Sequence, residues 1–183
     1  HVTLVDTTSR QPYARIGGLG DLSHASAVYS RDGRYAFVFG RDGGLTKIDM
    51  LEAKVVKRVI QSGNAIGGSI SQDGKIVVVQ NYTPGGIKAF DAATLELLSE
   101  VPAEYAPGKF SKVVGLADSS GNRFAYALFE GGEIRTVGCQ WHADHVRAVA
   151  AEQRDGAVVA GRFGEHDIAW LDERRAQEID QFQ

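Results

Sequence analysis

Cysteine and methionine are nearly absent from this chain of 183 residues, which contains one of each. The single cysteine, Cys139, excludes an internal disulfide framework and any metal cluster held by several cysteines. Because the sequence offers no convincing base for the thiol, Cys139 is interpreted as an ordinary thiol and not as a nucleophile. The sequence therefore indicates no cysteine-based chemistry.

Long apolar runs and clusters of basic residues are also missing. No segment approaches the roughly 18 consecutive apolar residues of a membrane-spanning helix, so we expect no membrane span. The formal net charge is −3 and no run of Lys and Arg stands out, which argues against a nucleic-acid partner. No signal peptide is recognisable, but such a segment can be removed or left out, so this does not bear on location.

Helical periodicity is nearly missing, whereas glycine is frequent, with 22 residues. Between Asp21 and Asp49, three strand-like runs alternate with the turn sequences SRDG and GRDGG. Asp-Gly and Gly-Gly between β-rich runs are strong hairpin signals, because glycine supplies the positive φ that tight turns need. The pattern predicts a three-stranded meander, with His24 just before its first strand and Arg41 just after its second.

Two short motifs recur along the chain. The sequence SRDGR at 30–34 returns as SQDGK at 71–75, and more loosely at 118–122 and 153–156. An aspartate closes an apolar run at Asp6, Asp49, Asp91 and Asp172, which we interpret as turn chemistry and not as acid or base catalysis. Four short strands in about 40 to 45 residues is the period of a β-propeller blade.

The repeats therefore predict an all-β propeller with units at 1–29, 30–70, 71–117 and 118–183. The near-continuous apolar runs are expected to be its innermost strands. After Ile134 the expected aspartate near Val137 is missing, so residues 135–150 are predicted to be irregular. The segment 171–182 fits either a terminal helix or a polar strand. About four units could close a ring, but they fit half of an eight-bladed propeller equally well.

Three stretches closely resemble the NirF family, which are propeller proteins required for making haem d1, the cofactor of denitrifying nitrite reductase. They are SHASAVYSRDGRYAFVFGRDGGLTKIDM, GNAIGGSISQDGKIVVVQNYTPGGIKAFDAATLEL and SKVVGLADSSGNRFAYALFEGGEI. The resemblance runs from Val2 to about Ile134, is weak through 135–150 and returns in part at 160–165. The family is also similar to the haem d1 domain of the reductase. The resemblance to NirF implies that this chain forms about four blades of an eight-bladed haem d1-type propeller. It also implies a periplasmic location.

The resemblance gives His24 a specific role. This residue matches the histidine that is the proximal iron ligand in the related haem d1 domain. Neutral imidazole binds haem iron well, and the small neighbours Ser23, Ala25 and Ser26 would let a flat macrocycle approach. Without the resemblance, a lone histidine at the start of a strand is interpreted as a hydrogen-bonded structural residue.

Three further residues are implied as contacts to the tetrapyrrole. Arg41 suits the carboxylates of haem d1 or its precursors through a two-pronged hydrogen bond; the alternative is a salt bridge with Asp42 or Asp73. Lys112 stands where the related domain has a basic residue facing the cofactor, and it could equally be a surface lysine. Tyr82 is at the place equivalent to Arg41 one unit later, where it could contact the macrocycle or pack before its Pro-Gly-Gly turn.

Other candidate sites are weaker. His142, Asp144 and His145 could hold part of a metal site but lack a further ligand at a telling spacing. The glycine-rich turns at 16–20 and 40–44 lack the following helix that a dinucleotide-binding loop requires.

The preferred hypothesis is a haem d1 biosynthesis protein that binds haem d1 or a late precursor. It would present or modify this ligand, by a dehydrogenase-like step if it is an enzyme, before transfer to nitrite reductase. Nitrite reductase and other haem d1 biosynthesis proteins would then be its partners. One alternative is a fragment of the haem d1 domain of the reductase, although the chain lacks the Cys-x-x-Cys-His site of the reductase's c-type haem. The other is a propeller scaffold for protein partners without a ligand.

Overall fold

The computed structural model describes residues 1–140 and 147–149, whose regular elements are all β-strands. The strands are β1 Val2–Val5, β2 Pro12–Ile16, β3 Ser26–Tyr29, β4 Tyr35–Phe39, β5 Gly44–Asp49, β6 Lys54–Ile60, β7 Asn64–Ile70, β8 Ile76–Thr83, β9 Ile87–Asp91, β10 Leu97–Val101, β11 Glu104–Ala106, β12 Lys109–Phe110, β13 Val113–Ser119, β14 Arg123–Leu128, β15 Glu133–Gln140 and β16 Arg147–Val149. Nowhere in these residues is there a helix long and apolar enough to cross a membrane. The all-β prediction is confirmed.

Successive antiparallel strands form three four-stranded sheets within the described residues. Sheet I contains β3 to β6, sheet II contains β7 to β10 and sheet III contains β13 to β16, each in chain order. The hairpin β1–β2 precedes sheet I, and the hairpin β11–β12 lies between sheets II and III. Four-stranded meanders packed side by side are the blades of a β-propeller, so the predicted fold class is confirmed.

The first strand of each sheet is the inner one. Strands β3 and β13 both pack against β7, and the Ser26 hydroxyl of β3 donates a hydrogen bond to the Ile66 carbonyl oxygen of β7 at 3.3 Å. The prediction that the apolar runs are innermost is therefore wrong, because they form β4 and β8, the second strands. Their apolar character reflects burial on both faces between neighbouring sheets.

The predicted repeat units and the sheets differ by one strand. The recurring Asp-Gly turn joins the first strand of a sheet to its second, so unit 30–70 contains β4 to β7. Part of the segment predicted as irregular is regular in its backbone, since β15 pairs with β14 up to Gly138, and β16 pairs with β15. The predictions for 141–146 and for residues beyond 149 lie outside the described residues.

The recurring turn is closed in the same way in sheets I and II. The Asp32 carboxylate accepts hydrogen bonds from the Ser30 hydroxyl at 2.5 Å and the Arg34 amide at 3.1 Å. In sheet II, the Asp73 carboxylate accepts from the Ser71 hydroxyl at 2.6 Å and the following Lys75 amide at 3.0 Å. The sequence repeat is therefore a repeat of side-chain hydrogen bonding that fixes the turn.

The strand-closing aspartates also cap turns, as predicted. Asp49 Oδ1 accepts hydrogen bonds from the amides of Leu51 and Glu52, both at 3.0 Å. Asp91 Oδ1 likewise accepts hydrogen bonds from the amides of Ala93 and Thr94, at 2.7 and 2.6 Å. Asp6 accepts one from the Ser9 amide at 2.6 Å.

Three apolar clusters fill the spaces between neighbouring sheets. One joins β1–β2 to sheet I, the second joins sheets I and II, and the third joins sheets II and III. In the second cluster, the ring of Phe39 is fully buried and occupies the space beside Gly68, where a Cβ atom would overlap the ring. The glycine therefore lets the inner strand of sheet II approach sheet I closely.

Candidate functional site

The four predicted ligand residues lie at one edge of the three sheets, where the inner strands begin and the second strands end. We call this edge the rim; it comprises residues 20–25, 40–43, 61–63, 82–86, 102–112 and 129–132. His24 precedes β3, Arg41 follows β4, Tyr82 is near the end of β8, and Lys112 precedes β13. The fold thus brings residues from three successive sheets to a common edge.

The rim loops of sheets I and II are joined by backbone contacts. The Arg41 amide donates a hydrogen bond to the Asp21 carbonyl oxygen at 2.8 Å, which ties the loop after β4 to the loop before β3. Gly43 lies so close to Ser62 that a Cβ atom would overlap the Ser62 carbonyl oxygen. The Gln61 amide donates to the Gly43 carbonyl oxygen at 2.9 Å. The loop bearing Arg41 is therefore held against the connection to sheet II.

Sheets II and III are joined at the rim in a similar way. Gly85 has φ of +99°, and a Cβ atom there would overlap the carbonyl oxygen of Ser111. Both conditions require glycine, because a side chain would be strained and would collide with the backbone. The turn after Tyr82 therefore packs directly on the segment that carries Lys112.

His24 is exposed in a turn and has a left-handed backbone, with φ of 62°. Residues other than glycine rarely adopt this conformation, although histidine does so more often than most. The turn is closed by the Ala25 amide, which donates to the Leu22 carbonyl oxygen at 3.0 Å. The imidazole makes no hydrogen bond with any residue among those described. The interpretation of His24 as a hydrogen-bonded structural residue therefore gains no support.

Asp21 is the acidic neighbour of both His24 and Arg41. Its carboxylate accepts hydrogen bonds from the Ser23 hydroxyl at 2.7 Å and the Ser23 amide at 2.8 Å. These bonds lower the pKa of Asp21 below its ordinary value, and the positive charges of Arg41 and His24 lower it further. Because the Arg41 amide also bonds the Asp21 carbonyl oxygen, the loops that carry Arg41 and His24 are held together at Asp21.

Arg41 is half-buried and its guanidinium makes no ion pair with the residues that the structure describes. Both predicted alternative partners are engaged elsewhere: Asp42 pairs with Arg58 at 2.5 Å, and Asp73 closes its own turn. The predicted salt bridge between blades through Arg41 is thus not formed. None of the five N–H donors of this guanidinium bonds a residue in the described part of the chain.

Tyr82 is half-buried beside a buried pair of amide side chains. Asn81 and Gln61 exchange two side-chain hydrogen bonds, at 2.8 and 3.1 Å. The Asn81 amide donates to the Gly86 carbonyl oxygen, as the Gly40 amide donates to that of Gly44 in sheet I. Tyr82 is therefore equivalent to Arg41, as the sequence indicates, and the buried amide pair fixes the backbone beneath it.

Lys112 is engaged by a residue that sequence reasoning missed. Its ammonium group lies 2.5 Å from Glu130 Oε1, and its amide donates to Glu130 Oε2 at 2.7 Å. Glu130 also accepts a hydrogen bond from the Ser111 hydroxyl at 3.0 Å. The Lys112 ammonium, followed by its amide and by Ser111, holds the pKa of Glu130 down to about 2. The predicted role of Lys112 as a carboxylate contact stays a prediction, and its charge is balanced here.

This ion pair should make stability depend on pH. Since the pKa of Glu130 falls from 4.5 to about 2 on folding, its contribution is complete above pH 4.5 and is lost as the pH falls toward 2. We expect Glu130→Gln to lower the free energy of unfolding by about 1 kcal/mol at neutral pH, after allowance for solvent screening of a partly exposed pair. The difference from wild type should vanish near pH 2 in urea unfolding. Glu96→Gln is the control. An equal loss of stability in this variant would contradict the assignment of the pH dependence to the ion pair of Glu130 with Lys112.

A groove of about 540 Å³ lies at the opposite edge of sheets I and II. Its walls include Tyr35, Phe37 and the largely buried Lys47. The Lys47 ammonium donates to the carbonyl oxygens of Ala92 and Ala93, both at 2.9 Å, and burial lowers its pKa. These hydrogen bonds from Lys47 connect sheet I to sheet II. None of the four predicted ligand residues lines this groove.

A cluster of three or more His, Cys, Asp or Glu side chains that could hold a metal ion does not occur among the described residues. The candidate metal residues His142, Asp144 and His145 lie outside them.

The chain belongs to the Cytochrome D1 heme domain family, which matches residues 1–171. It is similar to Protein NirF of Pseudomonas aeruginosa, with 50% identity over 93% of this chain and 47% of that protein. Protein NirF of Stutzerimonas stutzeri is 46% identical over 92% of this chain and 46% of its own length. The predicted resemblance to NirF is confirmed, and the chain spans about half the length of these relatives.

A solved structure of dihydro-heme d1 dehydrogenase NirN in complex with DHE has the same architecture. It superimposes with a TM-score of 0.63 and 30% identity, covering 81% of this chain and 32% of that one. The RRP9 WD40 repeats, at 14% identity and a TM-score of 0.51, share the propeller fold alone.

Proposed function

We propose that this chain contributes the rim of a tetrapyrrole site in a haem d1 biosynthesis protein. The protein binds haem d1 or a late precursor, and presents or modifies it before transfer to nitrite reductase. The observation that carries the proposal is His24, an exposed imidazole in a left-handed turn, beside an arginine with no ion pair among the described residues. Membership of the Cytochrome D1 heme domain family supports the choice of ligand class.

The donor groups at the rim suit this ligand. When bound, such a macrocycle would offer an iron that binds a neutral imidazole nitrogen, and peripheral carboxylates that bind cations. His24 would approach the iron, since its imidazole is exposed and without a hydrogen bond to the described residues. Arg41 would hold a carboxylate through paired N–H donors. Tyr82 would lie between them and sheet III, where it can hydrogen-bond or stack.

The left-handed backbone of His24 is itself an argument for function. A residue other than glycine in this conformation costs on the order of 1 kcal/mol. Glycine would avoid this cost, and the exposed side chain of His24 contributes no packing that offsets it. Arg10 has a similar exposed, left-handed backbone away from the rim, so this strain supports a binding role for His24 together with its place at the rim.

The extent of the chain bears on how much of the site it supplies. It covers 47% and 46% of the two NirF proteins. A complete propeller ring and any catalytic step are properties of a whole protein of that length, so both are part of the proposal. A dehydrogenase-like modification is the enzymatic form of the proposal, which the likeness to NirN supports. A periplasmic location is also part of it and rests on sequence resemblance alone.

A visible-absorption titration with ferric haem d1 tests the proposal. We expect saturable binding by the wild-type chain, with a spectrum that shifts and an affinity that falls in His24→Ala, because the axial nitrogen is removed. His1→Ala is a matched control, since His1 is also exposed but directly precedes β1, and its Nδ1 atom lies 3.2 Å from Arg15 Nη2.

Three outcomes of this titration separate the alternatives. No binding by folded wild-type protein would contradict the proposal and favour the scaffold without a ligand. Binding that is identical in wild type and His24→Ala would exclude His24 as the iron ligand. Nitrite reduction by the loaded chain, supplied with an artificial electron donor, would favour a fragment of the reductase.

A further inference from the structure

Phe129 is the residue of sheet III that corresponds to Arg41 and Tyr82. Each of the three is the eighth residue after the glycine of its sheet's first turn, at Gly33, Gly74 and Gly121. In sheets I and III the amide at this position donates to the loop before the first strand: the Arg41 amide bonds the Asp21 carbonyl oxygen at 2.8 Å, and the Phe129 amide bonds that of Lys112 at 2.9 Å. One rim position therefore carries a guanidinium, a phenol and a phenyl ring in three successive sheets.

The ring of Phe129 is exposed although the strand before it is well packed. Phe124, Tyr126 and Leu128 of β14 are all buried against sheet II, whereas Phe129 is 65% exposed. It is not a lone apolar residue, because the hairpin β11–β12 of the same rim exposes Phe110, and its Tyr105 lies beside Gly131. An apolar patch bordered by charged groups marks a binding surface.

The exposed ring is also held in position. The Lys112 ammonium lies 5.4 Å from the centroid of the Phe129 ring, within the range of a cation–π interaction. Glu130 fixes that ammonium through the ion pair and is itself bonded to Ser111. The Lys112 ammonium is thus held by Glu130 and lies against the ring of Phe129. This preorganises an aromatic side chain that the core does not fix.

At the rim, the segment that carries Lys112 packs against the turn that follows Tyr82. Gly85, three residues after Tyr82, packs on the carbonyl oxygen of Ser111, directly before Lys112. The rim therefore changes in character along its length: Arg41 and His24 at sheet I are polar, Tyr82 is intermediate, and Phe129 at sheet III is aromatic. A flat conjugated ligand with peripheral carboxylates matches that gradient.

We infer that Phe129 is a further ligand-contacting residue, whose ring packs against the macrocycle while Arg41 holds a carboxylate at the other end. Lys112 is then a positioning residue for Phe129. This inference rests on the proposed function and adds to it an orientation of the ligand: one carboxylate toward Arg41 of sheet I and the face of the macrocycle toward Phe129 of sheet III. Aromatic contact tolerates changes in ring substituents, because it needs only a π-face.

The experiment compares Phe129→Ala, Phe129→Leu and Phe129→Trp in the titration with ferric haem d1. We expect about fivefold weaker binding for Phe129→Ala, partial recovery for Phe129→Leu and full recovery for Phe129→Trp, since only tryptophan restores a stacking face. The spectral shift that depends on His24 should persist in all three, because the iron ligand is unchanged. The control is Tyr29→Ala, an aromatic residue 54% exposed at the opposite edge of sheet I.

Failure of this inference can be told apart from failure of the proposed function. Wild-type protein that does not bind haem d1 would remove both. Wild-type binding that depends on His24 but is equal in Phe129→Ala would overturn the role of Phe129 alone. A fall of several degrees in the Phe129→Ala unfolding temperature, with unchanged affinity, would mean that the ring packs against protein and would also overturn it. The role of Phe129 would also be overturned if Phe129→Ala kept its affinity for haem d1 but no longer associated with nitrite reductase. The patch would then be a protein-docking surface.

Discussion

Phe39→Ala is expected to lower the free energy of unfolding by about 3–5 kcal/mol. Phe39 is 0% exposed and belongs to the apolar cluster between sheets I and II. Its ring fills the space beside Gly68, and alanine would leave a cavity there that the backbone of two sheets cannot easily close. Urea unfolding followed by tryptophan fluorescence or circular dichroism would measure the change.

Phe110→Ala is the matched control for this prediction, because Phe110 is the same residue type but 51% exposed. We expect the control to change the free energy of unfolding by less than about 1 kcal/mol. A loss below about 1 kcal/mol for Phe39→Ala as well would contradict the packing of sheet I on sheet II, and with it the rim that this packing aligns.

The position of Phe39 links the core to the candidate site. Only Gly40 separates it from Arg41, and the loop that follows is held by Asp42, whose carboxylate bonds Arg58 and the Gly44 amide. The guanidinium of Arg41 is therefore carried on a short segment fixed at both ends. Ligand affinity in Phe39→Ala should fall even under conditions in which the protein is still folded, because precise placement of a charged group depends on such support.

Local turn chemistry explains why much of the fold could be predicted from the sequence. Asp32 and Asp73 close their turns through bonds to residues within two positions, so the motif itself specifies the structure. The capping by Asp49 and Asp91 is equally local. Patterns of this kind are visible in one sequence, because the interacting residues are neighbours along the chain.

Interactions between distant residues could not be predicted in the same way. The ion-pair partner of Lys112 is Glu130. Strands β13 and β14 separate the two residues along the chain, and nothing in the local sequence pairs them. Apolar runs do not give the radial order of the strands, because such a run records burial on two faces, which the second strand of a blade also has. The glycine-to-Phe129 spacing was present in the sequence, but only the backbone hydrogen bonds identify it with Arg41.

His24→Gly is expected to separate stability from binding. Relief of the left-handed strain at φ 62° favours the variant by about 1–2 kcal/mol, and the greater chain entropy of glycine offsets about 0.5–1 kcal/mol. We therefore expect the free energy of unfolding to rise by about 0.5–1 kcal/mol. Affinity for ferric haem d1 should fall by about 100-fold, since loss of a partner that merely supports a metal ligand already costs about 10–100-fold.

Two further variants make this result specific. Arg10 is also exposed with a left-handed backbone, at φ 57°, in the turn between β1 and β2. Arg10→Gly should give a similar gain in stability and leave haem d1 affinity unchanged, whereas His24→Ala should lose affinity without the gain. Equal affinity of His24→Gly and wild type would contradict iron ligation. A fall in stability would contradict the strain, and hence the argument that this residue is kept for its side chain. Opposite changes in the two quantities are what a binding residue held in a strained turn requires.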